Sequence, residues 1–420
     1  AWLMASDQAS TECAELYALV GELALTGQLR RVKGVLPIAL TAHAEGRRGL
    51  LVPEDNAPEA AVVEGLEVIP VKTLREAVEF LAGTSPLLPV RVDTQSLFSK
   101  AQTNGGDLQE VKGQETVKRA LEIAAAGGHN LILIGPPGTG KSMLAKRLSG
   151  ILPPLTLNEA LETTRIHSVA GLLEPHQALV TQRPFRAPHH TASDAGLLGG
   201  NINPSPGEIS LSHHGVLFLD ELPEFRRSVL ETMRQPLEEG HVTISRAAGK
   251  MTFPSEFMLV AAMNPTPDGK MPSESRSSPR EIQNYLGRIS GPLLDRIDLH
   301  VEVPPVKFRE MNAKAGGESS AVVRERVIAA RDIQQRRWHG APACNARMQP
   351  RDLQRHCTLD EPARLLLHSA MEELDLSARA YDRILKVART IADLAHSEKL
   401  TAAHVSEAIQ YRSLDRQIWT

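Results

Sequence analysis

Residues 135–142 read Gly-Pro-Pro-Gly-Thr-Gly-Lys-Ser. Gly135 and Gly140 enclose four residues, and Lys141 and Ser142 follow directly. That pattern suits a phosphate chain: the glycines let backbone N–H groups converge, the lysine supplies charge, and the hydroxyl can face a magnesium ion. With glycine at about 7% of residues, chance produces the pattern roughly once in a hundred chains of this length. Asn130-Leu-Ile-Leu-Ile134 before it is an apolar run of strand type, and Met143-Leu-Ala-Lys-Arg-Leu148 after it suits a helix. Strand, glycine loop and helix together aim free N–H groups and a positive helix end at an anion. Gly135, Pro136, Pro137, Gly138, Thr139, Gly140, Lys141, Ser142 and Met143 are therefore the candidate contacts for ATP.

Hydrolysis needs more than binding. Val216-Leu-Phe-Leu219 is an apolar run ending in Asp220 and Glu221, the Walker B arrangement. Asp220 would hold Mg2+ with Ser142, and Glu221 would orient or deprotonate the attacking water. Asn264 closes the next apolar run, where an amide can reach that water or the γ-phosphate. Arg296 lies in Gly291-Pro-Leu-Leu-Asp-Arg-Ile-Asp298. It is either offered to a neighbouring subunit's γ-phosphate, worth roughly 10³–10⁵ in rate, or paired locally with Asp295 or Asp298.

These residues need elements to hold them. Between Asp107 and about Pro305, apolar strand runs alternate with helices, which predicts a parallel sheet covered on both faces. From about 318 the chain reads as helical, with amphipathic stretches at 359–374, 378–396 and 401–414. Residues 1–83 alternate short strands, at 23–26, 49–52 and 67–69, with a helix from Val35. A closing helix carries a Thr73/Glu76 capping box and Gly83 as its stop. The predicted division is 1–83, a linker at 84–106, an ATPase core at 107–305 and a helical lid at 306–420.

The formal charge of −3 neither calls for nor excludes a nucleic-acid partner. Cys13, Cys344 and Cys357 are too scattered for a disulfide framework or a zinc site, which fits a cytoplasmic protein. The pairs His189-His190 and His213-His214 lack partners at metal-ligand spacing. No apolar run reaches the ~18 residues needed to span a bilayer, so no membrane partner is expected. The chain begins at Ala1, in an apolar stretch that reads like the middle of a helix, and is expected to be a fragment.

Taken together, Asp107 to Leu414 resembles the AAA+ ATPases of the magnesium-chelatase-like group, and within it the YifB/ComM proteins. Asp107-Leu-Gln-Glu-Val-Lys-Gly113-Gln114 is similar to the family's adenine-side element, which would place Val111 and Gly113 near the base. Pro184–His190 and Gly196–Asn201 look like its helix-2 insertion. Ser377-Ala-Arg379-Ala-Tyr-Asp-Arg383 resembles its sensor-2 helix, with Arg379 implied to reach the γ-phosphate in cis and Arg383 the weaker candidate. The resemblance implies a homo-oligomeric ring, usually a hexamer, that acts in branch migration of DNA during recombination or natural transformation. Residues 1–83 are similar to the second half of a Lon-type protease domain. The position of its catalytic lysine falls on Leu36, so the domain would lack the protease dyad.

Gly240–Phe253 reads as a hairpin with Arg246 and Lys250 near its tip. In related ring helicases a hairpin here meets the nucleic-acid backbone in the pore, a contact that is sequence-independent and salt-sensitive. A solvated turn is the plainer reading. DNA, single-stranded or branched, is thus the expected partner. A chelatase-type or chaperone-like ATPase that remodels proteins is the alternative, although no aromatic pore loop lies between the Walker motifs.

Overall fold

A computed structural model of the chain describes residues 6, 13–100, 106–200, 204–246, 249–306, 317–338, 344–374, 376–412 and 414. The opening apolar stretch, Asn201 and the Ala247-Ala248 turn lie outside these, as does the Arg246 side chain. Packing divides the chain into one unit of residues 1–102 and 155–182, and a second of 103–154 and 183–420.

In the first unit, β1 (Tyr17–Leu19), β4 (Gly49–Pro53) and β5 (Glu67–Val71) form a parallel sheet in the order β1-β4-β5, and β2 (Glu22–Leu23) pairs with β3 (Leu29–Arg30). The strand expected through residue 26 stops at Leu23, because Gly27, at φ 84°, closes a turn with its N–H on the Ala24 carbonyl. The helix Val35–Ala44 buries Leu36 completely in the apolar core. The Leu36 side chain carries no titratable group, and the residue's N–H donates to the buried Glu59 carboxylate at 2.9 Å. The helix Leu157–Ala170 belongs to this unit, starting from a full Thr156/Glu159 capping box and burying Ala160. The helix Leu74–Leu81 is capped as expected on one arm, Thr73 Oγ1 accepting the Glu76 N–H. The Glu76 carboxylate takes the Lys72 N–H instead, one residue earlier than a capping box requires.

In the second unit, the central sheet has five strands in the order β12-β6-β11-β8-β7, all parallel. They are β6 (Leu131–Ile134), β7 (Phe185–Arg186), β8 (Val216–Leu219), β11 (Met258–Met263) and β12 (Leu299–Glu302). β6, β8 and β11 are buried at every position, as strands covered on both faces must be. β9 (His241–Arg246) and β10 (Gly249–Pro254) form a separate two-stranded ribbon. The C-terminal helices do not form a core of their own. Val323 and Val327 from helix Ser320–Arg337, and Leu385 and Ala388 from helix Ala378–Leu394, pack in one apolar cluster with Leu131, Leu133 and Leu144.

Beneath that cluster lies a buried polar knot. The Asp298 carboxylate, fully buried just before β12, accepts the Asn130 N–H at 3.0 Å and an Arg383 N–H at 2.7 Å, with His129 Nδ1 at 3.3 Å. His129 Nε2 lies 2.8 Å from Thr390 Oγ1 on the same helix as Arg383. Burial by itself would raise the Asp298 carboxyl. The Arg383 guanidinium and the His129 hydrogen bond outweigh it and hold the group well below the usual carboxylate range. Removing one partner of a buried pair leaves the rest uncompensated. Asp298→Asn should therefore lower the free energy of unfolding by about 3–5 kcal/mol at neutral pH, read by urea denaturation. Because the folded value is depressed, the wild-type advantage is complete above the unfolded carboxyl value of about 4 and shrinks as pH falls below it.

Candidate nucleotide-binding and hydrolysis site

Strand order places the chemistry. β11 runs between β6 and β8, so Asn264 emerges between the loop that follows β6 and the carboxylates that follow β8. All three lie at the C-terminal ends of parallel strands, where open α/β sheets bind ligands.

The loop itself is shaped by its glycines. Gly138 and Gly140 hold φ of 80° and 84°, left-handed values that glycine adopts without strain. Gly135 cannot carry a side chain, since a Cβ there would lie 2.2 Å from the Val303 carbonyl oxygen. Thr139 Oγ1 donates to the Pro136 carbonyl at 2.9 Å. Lys141 opens the helix Lys141–Ile151 and is only 8% exposed. Its ammonium donates to the Gly135 and Pro136 carbonyls at 2.6 and 2.9 Å and to Asn264 Oδ1 at 3.2 Å. Burial pulls its pKa below the ordinary lysine value, against the opposing charge of Asp220. The three acceptors hold the cation at the centre of the loop, where the β- and γ-phosphates of a nucleotide would replace them.

Ser142 Oγ donates to Asp220 Oδ2 at 2.5 Å. A hydroxyl and a carboxylate side by side are hard oxygen donors, the kind Mg2+ takes while keeping waters and phosphate oxygens. Ser142 and Asp220 fit that ion and would hold it; bound there, it neutralises charge on the phosphates. Glu221 follows in a left-handed conformation, φ 53°, unusual for a residue with a Cβ. Its carboxylate is largely exposed and lies 3.2 Å from His190 Nδ1. β7 pairs with β8, so the chain leaving β7 brings His190 alongside the end of β8.

On the adenine side, Val111 is buried and Gly113 has φ 64°. Gln114, to which the sequence pattern assigns no role, donates its amide to the Thr139 carbonyl at 3.0 Å and the Pro304 carbonyl at 3.1 Å. That ties the adenine-side element to the phosphate loop. Beyond Asn264, the Asp268 carboxylate collects the Thr266 and Ser275 hydroxyls and the Arg276 N–H at 2.7–2.9 Å. This pins a turn whose Gly269 abuts Pro137; a Cβ at Gly269 would sit 2.7 Å from Pro137 Cδ. Met143 is exposed beside the loop.

The two arginines are placed elsewhere. Asn130, at the start of β6, donates its amide to the Arg296 carbonyl at 2.9 Å, which fixes Arg296 at the N-terminal edge of the sheet. The phosphate loop begins at the other edge, about 15 Å away along the strand. Arg379 pairs with Asp295 at 3.3 Å, next to Arg296, and Arg383 is held by Asp298. The cis contact implied for Arg379 does not fit this placement. Arg296 pairs with neither Asp295 nor Asp298. It is 7% exposed and bonded to Glu238 and to the Pro292 carbonyl. Arg296 and Arg379 line one cavity.

A parallel sheet with a strand between its Walker A and Walker B strands, and with an asparagine on that strand, defines a P-loop ATPase of the AAA+ type. Residues 107–311 match the family described as "Magnesium chelatase, subunit ChlI", residues 317–412 its C-terminal counterpart, and residues 1–56 "Subunit ChlI of Mg-chelatase". The chain is 47% identical to "Competence protein ComM" of Haemophilus influenzae over 418 residues, which is 99% of this chain and 81% of that protein. It is 46% identical to YifB of Salmonella typhimurium over 419 residues, 99% of this chain and 81% of that protein. "Probable DNA helicase MCM9" of Arabidopsis thaliana is 25% identical over 246 residues, 55% of this chain and 32% of that protein. The chain belongs to the YifB/ComM family of magnesium-chelatase-like AAA+ ATPases. Among the described residues, no helix is long and apolar enough to cross a membrane.

Lys141 carries the loop's charge. Lys141→Ala should weaken ATP binding by about 2 kcal/mol or more, the worth of a charge-assisted contact, or about thirtyfold in Kd. Titration with a fluorescent ATP analogue measures it, and an unchanged melting temperature would show that the fold persists.

Proposed function

We propose that this chain is the subunit of a ring, a hexamer, that couples ATP hydrolysis to movement along single-stranded or branched DNA, in natural transformation or homologous recombination. The observation that carries the proposal is the ribbon of β9 and β10. Val242, Ile244 and Phe253 bury its root, whereas Gly249 to Thr252, with Lys250, are exposed. An isolated two-stranded ribbon is marginal by itself, and this one is fixed at its root while a cation and the exposed Met251 are left bare near its turn. Contacts from Lys250, and from Arg246 across the register, to phosphates would bind DNA without reading its sequence. The ComM relative's name, and the partial likeness to a probable DNA helicase, support the same direction.

The ring supports the chemistry. Arg296 and Arg379 lie together at the edge of the sheet opposite their own phosphate loop. Both therefore serve the γ-phosphate held by a neighbouring subunit, where Lys141, Asn264, Glu221 and the Ser142/Asp220 pair complete the site. Glu221 accepts the proton of the attacking water, and the arginines stabilise charge on the transferred phosphoryl. Within the ring the cytoplasm supplies ATP and Mg2+, and no membrane partner is involved.

The test is ATP turnover with and without single-stranded and branched DNA at low and moderate salt. Turnover should rise several-fold with DNA, less so in moderate salt, and vanish in Glu221→Gln. Lys250→Glu should keep DNA-free turnover and abolish most of the stimulation. It should also lower the slope of log K against log salt by about 1 for each phosphate no longer neutralised. Wild-type turnover indifferent to DNA would overturn the reading and favour a ring that remodels proteins.

A further inference from the structure

The cavity that gathers Arg296, Arg379, Arg383 and Lys386 has a volume of about 140 Å³ and is also lined by Glu238 and Asp295. Each arginine in it already holds a carboxylate. Arg379 takes Asp295 and Arg383 takes Asp298, acids of the same short segment that leads into β12. Arg296 is different. Its partner Glu238 belongs to the helix Arg234–Glu239, separated from β9 by Glu239 and Gly240 alone. The cation proposed to sense a neighbour's nucleotide is thus tied to the root of the ribbon proposed to touch DNA.

The tie is asymmetric. The Arg296 side chain is 8% exposed, and the Glu238 side chain is 56% exposed. One Arg296 nitrogen donates to the Pro292 carbonyl and another to Glu238, while Nε is buried without a partner among the described residues. The guanidinium is confined but not saturated. Two oxygens of a phosphate group offer the same forked geometry as a carboxylate with more charge, so a phosphate competes with Glu238 for one donor face. The joint behind Glu238 is short. Gly240 holds φ 69°, its N–H donates to the Pro236 carbonyl at 2.9 Å, and its own carbonyl accepts the Ser255 N–H at 2.8 Å.

We propose that Glu238 is a latch on Arg296, a positioning residue through which the neighbour's nucleotide and the DNA ribbon influence each other. With no triphosphate next door, Glu238 holds Arg296, and the helix Arg234–Glu239 anchors the ribbon. A γ-phosphate draws the guanidinium away, Glu238 is released, and the helix Arg234–Glu239 at the foot of the ribbon loses that tie. By reciprocity, DNA that displaces the ribbon frees Arg296 for the phosphate. Stimulation by DNA is then the release of a self-imposed block. This rests on Arg296 acting on a neighbouring subunit, as proposed above.

The experiment uses the full chain with Glu238→Gln and Glu238→Ala, which remove the charge from a side chain exposed enough for the fold to survive. Steady-state ATP turnover is measured with and without a single-stranded oligonucleotide, and oligonucleotide affinity by fluorescence anisotropy. DNA-free turnover should rise about threefold or more, the effect of removing an ion pair with one exposed partner. Added DNA should stimulate little further, and the oligonucleotide should bind more tightly than to the wild type, because its binding no longer has to open the latch. In an Arg296→Ala background, Glu238→Gln should do nothing, because the latch has no other substrate. DNA-free turnover at or below the wild-type value in both variants, at wild-type melting temperature, would overturn the latch. So would an increase that persists in the Arg296→Ala background. Arg296→Ala with wild-type turnover would instead remove the role of Arg296 itself. Wild-type turnover indifferent to DNA would defeat the DNA reading, while the DNA-free rates still decide the latch.

Discussion

A carboxylate with no water around it must find its donors within the protein, and Asp298 finds them on two segments. It takes the N–H of Asn130 at the start of β6, the His129 ring just before, and the guanidinium of Arg383 on the helix Ala378–Leu394. Asn130 in turn accepts the Leu259 N–H and donates to the Arg296 carbonyl. One knot therefore sets the lateral order of three strands and the position of the C-terminal helix. It also holds the arginines at the edge of the sheet opposite the phosphate loop.

From that separation follows the division of labour. At the C-terminal ends of β6, β11 and β8 stand a lysine, an amide and two carboxylates, enough to bind and activate. At the other edge stand cations whose own loop is out of reach. A chain built this way keeps its lysine, amide and carboxylates at one edge and its arginines at the other. The local electrostatics agree: Lys141 is desolvated and awaits anions, while Arg296, Arg379 and Arg383 are each parked on a carboxylate.

Much of this is legible in the sequence where chemistry and local pattern coincide. The phosphate loop, Asp220-Glu221 and Asn264 each follow an apolar run that could only be a buried strand, so motif and element confirm each other. What escapes is non-local. β1 has three residues, and its partner β4 starts at Gly49, so no periodicity marks it. The helix Leu157–Ala170 reads as part of the ATPase segment by position, yet its packing joins it to the N-terminal unit. Arg296 has two acids within two residues, and the structure chooses Glu238 because a helix from elsewhere in the chain reaches the same cavity. Motif likeness also misleads at Arg379. The residue type is recognisable, but the knot under its helix places it at the wrong edge for its own nucleotide. His190 reads in the sequence only as a possible ligand, since nothing in the order of residues shows that β7 lies beside β8.

The helices after residue 320 share one apolar cluster with the sheet and the phosphate-loop helix. Close-packed interiors switch between discrete arrangements and do not bend continuously. A chain packed in this way joins its catalytic floor to its C-terminal helices through one set of side-chain contacts, so a rearrangement of one is felt by the other. Nucleotide chemistry at the floor and packing at the C-terminal helices thus draw on the same buried side chains.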